Sequence, residues 1–269
     1  MALSIRQARP AAGVQWMRDA FRLFMRRPLP FAGMFVSFLV VALLATIVPL
    51  VGGVLMLMAL PLLTLGFMMA SRAALNDLPV HPGLYFEPLR GDAVRRKALL
   101  TRCMAYALCT VLIMSLSEWI DGGSFDRLQQ LMAKGEEGRA EMEAILADPS
   151  FTWGLITRFG LAALLSVPFW HAPALVYWHQ QSVGQALFSS TLALWRCKGA
   201  FVMYSLAWVA VIAVFGAVAG LVFSLFDARQ MAGLVAMPAG LMFSTVFYVS
   251  LWYTYEGCFS TAPAEGTSI

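Results

Sequence analysis

Residues 31–71 form a run of 41 positions without one charged side chain, and Pro49, Leu50, Val51, Gly52 and Gly53 stand in its middle. A bilayer core is about 30 Å thick and takes about 20 helical residues. The run therefore predicts two membrane spans joined by a turn too short to hold a domain. Lipid, not water, is the solvent against which the rest of the chain has to be read.

The composition agrees, with 60% apolar and 13% charged residues. Further apolar runs occupy 103–117, 159–170, 199–226 and 230–255. Neighbouring residues lengthen the first two to full spans. The expected fold is all-α: a polytopic membrane protein with six transmembrane helices at about 31–49, 52–70, 99–120, 155–178, 199–226 and 230–255. Two amphipathic helices at the membrane interface accompany them, within a tail at 1–30 and between the fourth and fifth spans. A short tail at 261–269 follows the membrane domain.

Six spans place both termini on one side. Segments 1–30, 71–102 and 179–198 hold 14 of the 19 Lys and Arg residues, and Arg127, Lys134, Arg139, Arg158 and Arg229 make up the rest. Positive charge collects on the cytoplasmic side of membrane proteins, so both termini are expected in the cytosol. The net charge of +4 is divided among membrane-flanking segments, which makes it a topology signal and not a nucleic-acid surface. A long basic region followed at once by two full spans does not fit a cleavable signal peptide. Cys103, Cys109, Cys197 and Cys258 show no metal-ligand spacing and read as free thiols.

The first amphipathic helix covers about 11–27. Met17, Ala20, Phe21 and Phe24 share one face, with Trp16 beside it, and Arg18, Arg22 and Arg26 form a stripe opposite. An apolar face backed by an Arg face predicts a helix lying in the interface, its cations on anionic phospholipid headgroups. Pro28 and Pro30 then break it. The second covers about 183–198, opened by a capping box at Ser182 and Gln185. Its apolar face is read as Leu187, Phe188, Thr191, Leu194 and Trp195. Each amphipathic helix precedes a two-span hairpin, which suggests a faint parallel duplication.

The segment from Asn76 to Pro88, with Pro79, His81, Pro82, Tyr85 and Phe86, suits a loop at headgroup level. Arg95, Arg96 and Lys97 then precede the third span, as a positive-inside anchor or as contacts to phospholipid headgroups. Residues 121–150 carry seven acids against three bases and form the outer loop. Two short helices are expected there, at 124–133 and 137–147. Leu128, Leu131 and Met132 would face Met142, Ile145 and Leu146 in a small hairpin leaning on the spans.

Chemistry-bearing patterns are sparse. The chain has no phosphate-binding glycine loop, no dinucleotide fingerprint, no His-Glu-x-x-His and no Gly-x-Ser-x-Gly. No catalytic residue, cofactor or metal is assigned, and the chain is not expected to be an enzyme. Acids stay at the span edges, as with Glu118 and Glu256, which argues against a proton-coupled pump.

The polar feature that stands out is Pro168, His171 and Pro173 in the fourth span. Each proline lacks an amide donor, so the carbonyls of Leu164 and Phe169 lose their usual partners, and inside lipid they need others. Two readings follow. His171 faces a ligand or water-filled cavity at a kink, or it donates to a freed carbonyl and stabilises that kink. Gly216 and Gly220, with Ala213 and Ala217, offer a small-residue face for packing in the bundle or for dimerisation. Arg102 and Arg158, a turn inside their spans, are expected to snorkel to the headgroups. The 16 Met residues are scattered and read as packing fillers.

Several local patterns together carry a likeness. They are Gly13, Val14, Met17, Ala20, Phe21 and Phe24 before a Pro-flanked span, and the Leu78-Pro79-Val80 loop. The third runs from Ala172-Pro173-Ala174-Leu175-Val176 to Gln185-Ala186-Leu187 and Leu194-Trp195. The chain resembles a family of uncharacterised six-helix bacterial inner-membrane proteins, more distantly similar to the membrane domain of glycerophosphodiester phosphodiesterases. The resemblance implies a bacterial inner-membrane address. It carries over no site residue, and the phosphodiesterase's soluble catalytic domain has no counterpart here. The expected function is a non-enzymatic envelope protein that binds lipid or a membrane-protein partner, with no nucleic acid. The alternative is a transporter or channel for a small or lipid-like solute, motivated by the His171 kink. A lipid enzyme is a third reading, without a convergent acid–base set.

Overall fold

A computed structural model describes residues 3–48, 51–134, 138–225 and 232–261. In chain order the described elements are β1 (Leu3–Ile5), α1 (Ala12–Arg26), α2 (Pro28–Ala45), α3 (Val51–Leu75) and α4 (Ala93–Asp121). The region between the fourth and seventh helices holds α5 (Ser124–Lys134) and α6 (Arg139–Ala147). Then come α7 (Pro149–Phe169), α8 (Ala172–His179), α9 (Val183–Arg196), α10 (Lys198–Leu225), α11 (Ala232–Cys258) and β2 (Phe259–Thr261). Six segments are long and apolar enough to cross a membrane: α2, α3, α4, α7 with α8, α10 and α11. The protein is thus an all-α polytopic bundle, and the sole sheet among the described residues is the antiparallel β1–β2 pair.

Helix ends differ from the expected spans for local reasons. Pro28 and Pro30 end α1 as expected, with Arg27 non-helical, and they also open α2, because a first helical turn has no use for the missing amides. On α4, Arg95, Arg96 and Lys97 lie inside the helix and not before it. The expected turn at Pro49 and Leu50, the end of the fifth span at 226, the start of the sixth at 230 and the start of α6 at Glu137 fall outside the described residues. So does the tail after Thr261.

The bundle is assembled by α1. It lies in the groove between α10 and α11, which also meet each other through a Tyr204–Ser250 hydrogen bond and the Trp208–Phe247 and Phe215–Phe243 ring contacts. Trp16 packs on Phe201 and Tyr204, and Phe21 on Trp208 and Phe243. Trp16, Met17, Ala20, Leu23 and Phe24 are buried, while Arg18, Arg22 and Arg26 stay exposed. The apolar face read as a lipid-facing surface is therefore covered by protein. At Gly13 the helices approach so closely that a Cβ would meet the Ala200 carbonyl oxygen. From α11 the packing continues through α3 to α4 and on to α7, with Tyr248 stacked on Phe67 at 5.3 Å.

The second amphipathic helix turns the other way. Ala186, Ser190 and Ala193 of α9 are buried, and the helix packs on α7 and α8. Phe188 and Trp195 of its apolar face are 69% and 70% exposed, on the side turned away from the protein. Small residues seat this helix on the protein, and the aromatics are left for lipid. Its capping box at Ser182 and Gln185 is present. The suggested duplication is not matched by equivalent packing, since α1 sits on the last hairpin and α9 on the central one. On α10, Gly216 and Gly220 face open space instead of a bundle neighbour.

The acidic loop folds as a helical hairpin joined by the Arg127–Glu141 ion pair, with Leu131 buried against Gly138. Met132 and Leu146, expected inside, are exposed. Both helices lean on α7. Gly154 of α7 is the tight point there, because a Cβ would collide with Asp121 of α4.

Gly13→Val should be among the most damaging single changes, since the obstruction is backbone and cannot rotate away. Overpacking of this kind costs roughly 1–3 kcal/mol. A lowered thermal unfolding midpoint in detergent, with Gly216→Val unchanged beside it, is the expected outcome.

Candidate functional site: a polar cluster at the kink and a basic end

Pro168 and Pro173 divide the fourth span into α7 and α8, with Trp170 and His171 at the break. Three other helices supply polar groups at the break, two to its backbone and one to its side chains. Ser190 of α9 accepts the His171 amide at 3.1 Å and donates to the Val167 carbonyl at 3.0 Å. Thr254 of α11 takes the Trp170 indole N–H at 3.2 Å and pairs with His171 Nε2 at 3.1 Å. Arg102 of α4 donates to the Ala172 carbonyl. His171 is fully buried, and its Nδ1 has no hydrogen-bond partner among the described residues. The imidazole thus bonds a hydroxyl and not a carbonyl, and hydroxyl and guanidinium groups from neighbours serve the broken backbone.

Arg102 and Arg158 do not reach outward as expected. Arg102 has 0% exposure and turns inward to the kink, leaving Nε and Nη2 without partners among the described residues. Arg158 lies over the Phe125 ring, bonds the Ser117 hydroxyl at 2.7 Å and sits 4.0 Å from the buried Asp121 carboxylate. A cation inside a span is costly unless something satisfies it, which makes Arg102 the intramembrane group whose needs the described residues meet least. Its position in sequence, a turn inside a span, marked it only as a snorkelling candidate.

Beside the kink lies an intramembrane cavity of about 180 Å³, lined among others by Thr64, Tyr106, Ser166, Trp170 and Tyr248. His171 does not line it. Trp170, the neighbour of His171, lines it.

The candidate headgroup contacts gather at one end of the bundle. Arg18, Arg22 and Arg26 form an exposed row on α1, with Arg22 paired to Asp19 at 3.2 Å. On α4, Arg96 and Lys97 are exposed, whereas Arg95 turns inward over Tyr177 at 5.7 Å. The basic cluster is thus split into two outward charges and one packed against an aromatic ring.

Two features of this end escaped the sequence. Cys197 accepts the Ala8 amide at 3.4 Å and donates to the Arg6 carbonyl at 3.2 Å, securing the segment after β1. A hydrogen bond with Cys258 holds the Cys197 thiol below its ordinary value, at about 7. Sixty-one positions separate the two cysteines, so no local pattern marks them as neighbours. The second feature is a cleft of about 700 Å³ walled by the ends of α3, α8 and α11 and by the strand pair.

A "probable inner membrane protein" of Burkholderia thailandensis is 32% identical over 250 residues, covering 92% of this chain and 90% of that protein. No family profile and no solved structure matches the chain.

Ser190→Ala strands the His171 amide and the Val167 carbonyl together, and a buried unsatisfied group costs about 1–3 kcal/mol. A clear drop in unfolding midpoint is expected, and Ser189→Ala one position away should leave it in place.

Proposed function

We propose that this chain, which belongs to the family of that Burkholderia thailandensis inner-membrane protein, is a non-enzymatic envelope protein that binds anionic phospholipid with its basic end in the cytosol. The observation that carries this reading is the use of α1: its apolar face is taken up by α10 and α11, so Arg18, Arg22 and Arg26 are turned away from the protein. Phe188 and Trp195 on α9, with Lys198 5.0 Å from the Trp195 ring, add an aromatic and basic rim of the kind found at headgroup level. The distant likeness to the membrane domain of glycerophosphodiester phosphodiesterases belongs to the same proposal, with lipid as the shared neighbour and no catalytic residue transferred. A membrane-protein partner on the same surface would serve an assembly role.

A second reading, a transporter for a small or lipid-like solute, draws on the cavity of about 180 Å³ near the kink and on the unsatisfied nitrogens of Arg102. Against it stands the enclosure of His171 by Ser190 and Thr254.

The test uses the full-length protein in nanodiscs of mixed phosphatidylglycerol and phosphatidylcholine, with retained lipid measured by native mass spectrometry. Enrichment of phosphatidylglycerol is expected, falling when Arg18, Arg22 and Arg26 are all replaced by Gln, at about 1 kcal/mol per charge at low ionic strength. Equal retention of both lipids, or no response to the triple substitution, would refute the lipid role. For the topology, alkaline phosphatase inserted in the 121–150 loop should be active, and a fluorescent protein at the C-terminus should fluoresce.

A further inference from the structure

The cleft at the basic end has a divided lining. Trp178, Trp252, Tyr255 and Phe259 make an aromatic wall, in which Trp178 meets Trp252 edge-on at 5.3 Å and Tyr255 is fixed by a 2.7 Å hydrogen bond to His179. Arg6 and Arg72 bring two guanidiniums to the same space, against the single carboxylate of Glu256. Neither arginine has an acidic partner within ion-pair distance among the described residues. Arg72 rests 5.7 Å above the Trp178 ring, which orients it without neutralising it. Trp252 Nε1 is buried without a hydrogen-bond partner although its side chain lines the cleft. A second cleft of about 620 Å³ continues on the other side of Arg72, Asn76 and Trp178.

We infer that this cleft binds a phosphate ester. Two separate guanidiniums suit a tetrahedral anion with several charged oxygens, whereas one planar fork already saturates a carboxylate. The volume lies in the range that encloses a small ligand, about 300–1,000 Å³. The carbon portion lies along Trp178 and Trp252. The same chemistry is offered by a phospholipid headgroup and by a soluble phosphate monoester. The inference deepens the lipid-binding reading but stands on different residues, so the two can fail separately.

Isothermal titration calorimetry of the full-length protein in phosphatidylcholine nanodiscs tests it, with empty nanodiscs as the baseline. The probes are dioctanoyl phosphatidylglycerol and glycerol phosphate. One saturable site for either probe is expected, and the probe that binds identifies the source as lipid or as free ester. Arg6→Gln with Arg72→Gln should weaken that site at least about tenfold, the scale of a charge-assisted hydrogen bond. The Gln substitutions at Arg18, Arg22 and Arg26 should leave it unchanged. Should the double variant not fold, Arg6→Gln alone, at an exposed side chain, serves the same comparison. Absence of a saturable site for both probes, or equal binding by the Arg variants, overturns the inference.

Discussion

The seating of α1 between α10 and α11 is the contact on which the arrangement depends. Inside lipid, apolar surface gains little by moving from acyl chains to another helix, so association rests on close packing and hydrogen bonds. At Gly13 the α1 backbone comes against the Ala200 carbonyl, and on the α11 side the Trp16 indole fills the space above Gly257. The two helices of the last hairpin meet through ring contacts and the Tyr204–Ser250 hydrogen bond, and α1 extends that junction by packing on both. The strand pair, with Leu3 opposite Thr261, then ties the start of the described chain to its end. The α1 seat and the strand pair are long-range contacts, while α3 with α4, α4 with α7 and α8 with α9 pack in chain order.

The kink follows the same economy of polar groups. Two prolines break a backbone ladder that lipid cannot repair, and the Ser190 hydroxyl of α9 and the Arg102 guanidinium of α4 serve its backbone while Thr254 of α11 holds the side chains of Trp170 and His171. Ser190 acts in both directions, accepting from one strand of the break and donating to the other. Because Ser190, Thr254 and Arg102 come from three different helices, the break also locks α4, α9 and α11 to one point. Arg102 is the exception, a cation with only one of its donors engaged among the described residues.

Much of the architecture was legible because lipid leaves few options: long uncharged runs become spans, and their number and ends follow within a few residues. The capping box at Ser182 was equally plain, being a local hydrogen-bond pattern. What failed was the assignment of faces. A helical wheel shows that α1 has an apolar side, yet it cannot say whether lipid or protein covers it. On α9 the wheel marked Phe188 and Trp195 as apolar but not the side that seats the helix, since close packing in a membrane favours the small Ala186, Ser190 and Ala193. Pro168, His171 and Pro173 were visible as a break, but their partners lie 19 to 83 positions away and left no trace in the pattern. The same distance hides the Cys197–Cys258 pair and the cleft, whose walls come from four separate elements.

Synthesis adds a consequence of the α1 seat. The chain is made from its N-terminus at about 5–20 residues per second, so α1 emerges on the order of ten seconds or more before the groove that receives it exists. During that wait Trp16, Met17 and Phe24 have no protein to cover them, and the headgroup layer is the nearest surface that suits an apolar face backed by arginines. The amphipathic pattern that misplaces α1 in the finished molecule thus describes where the nascent helix is held. Folding ends when the last hairpin arrives and its groove takes over the apolar face, leaving the arginine row turned outward.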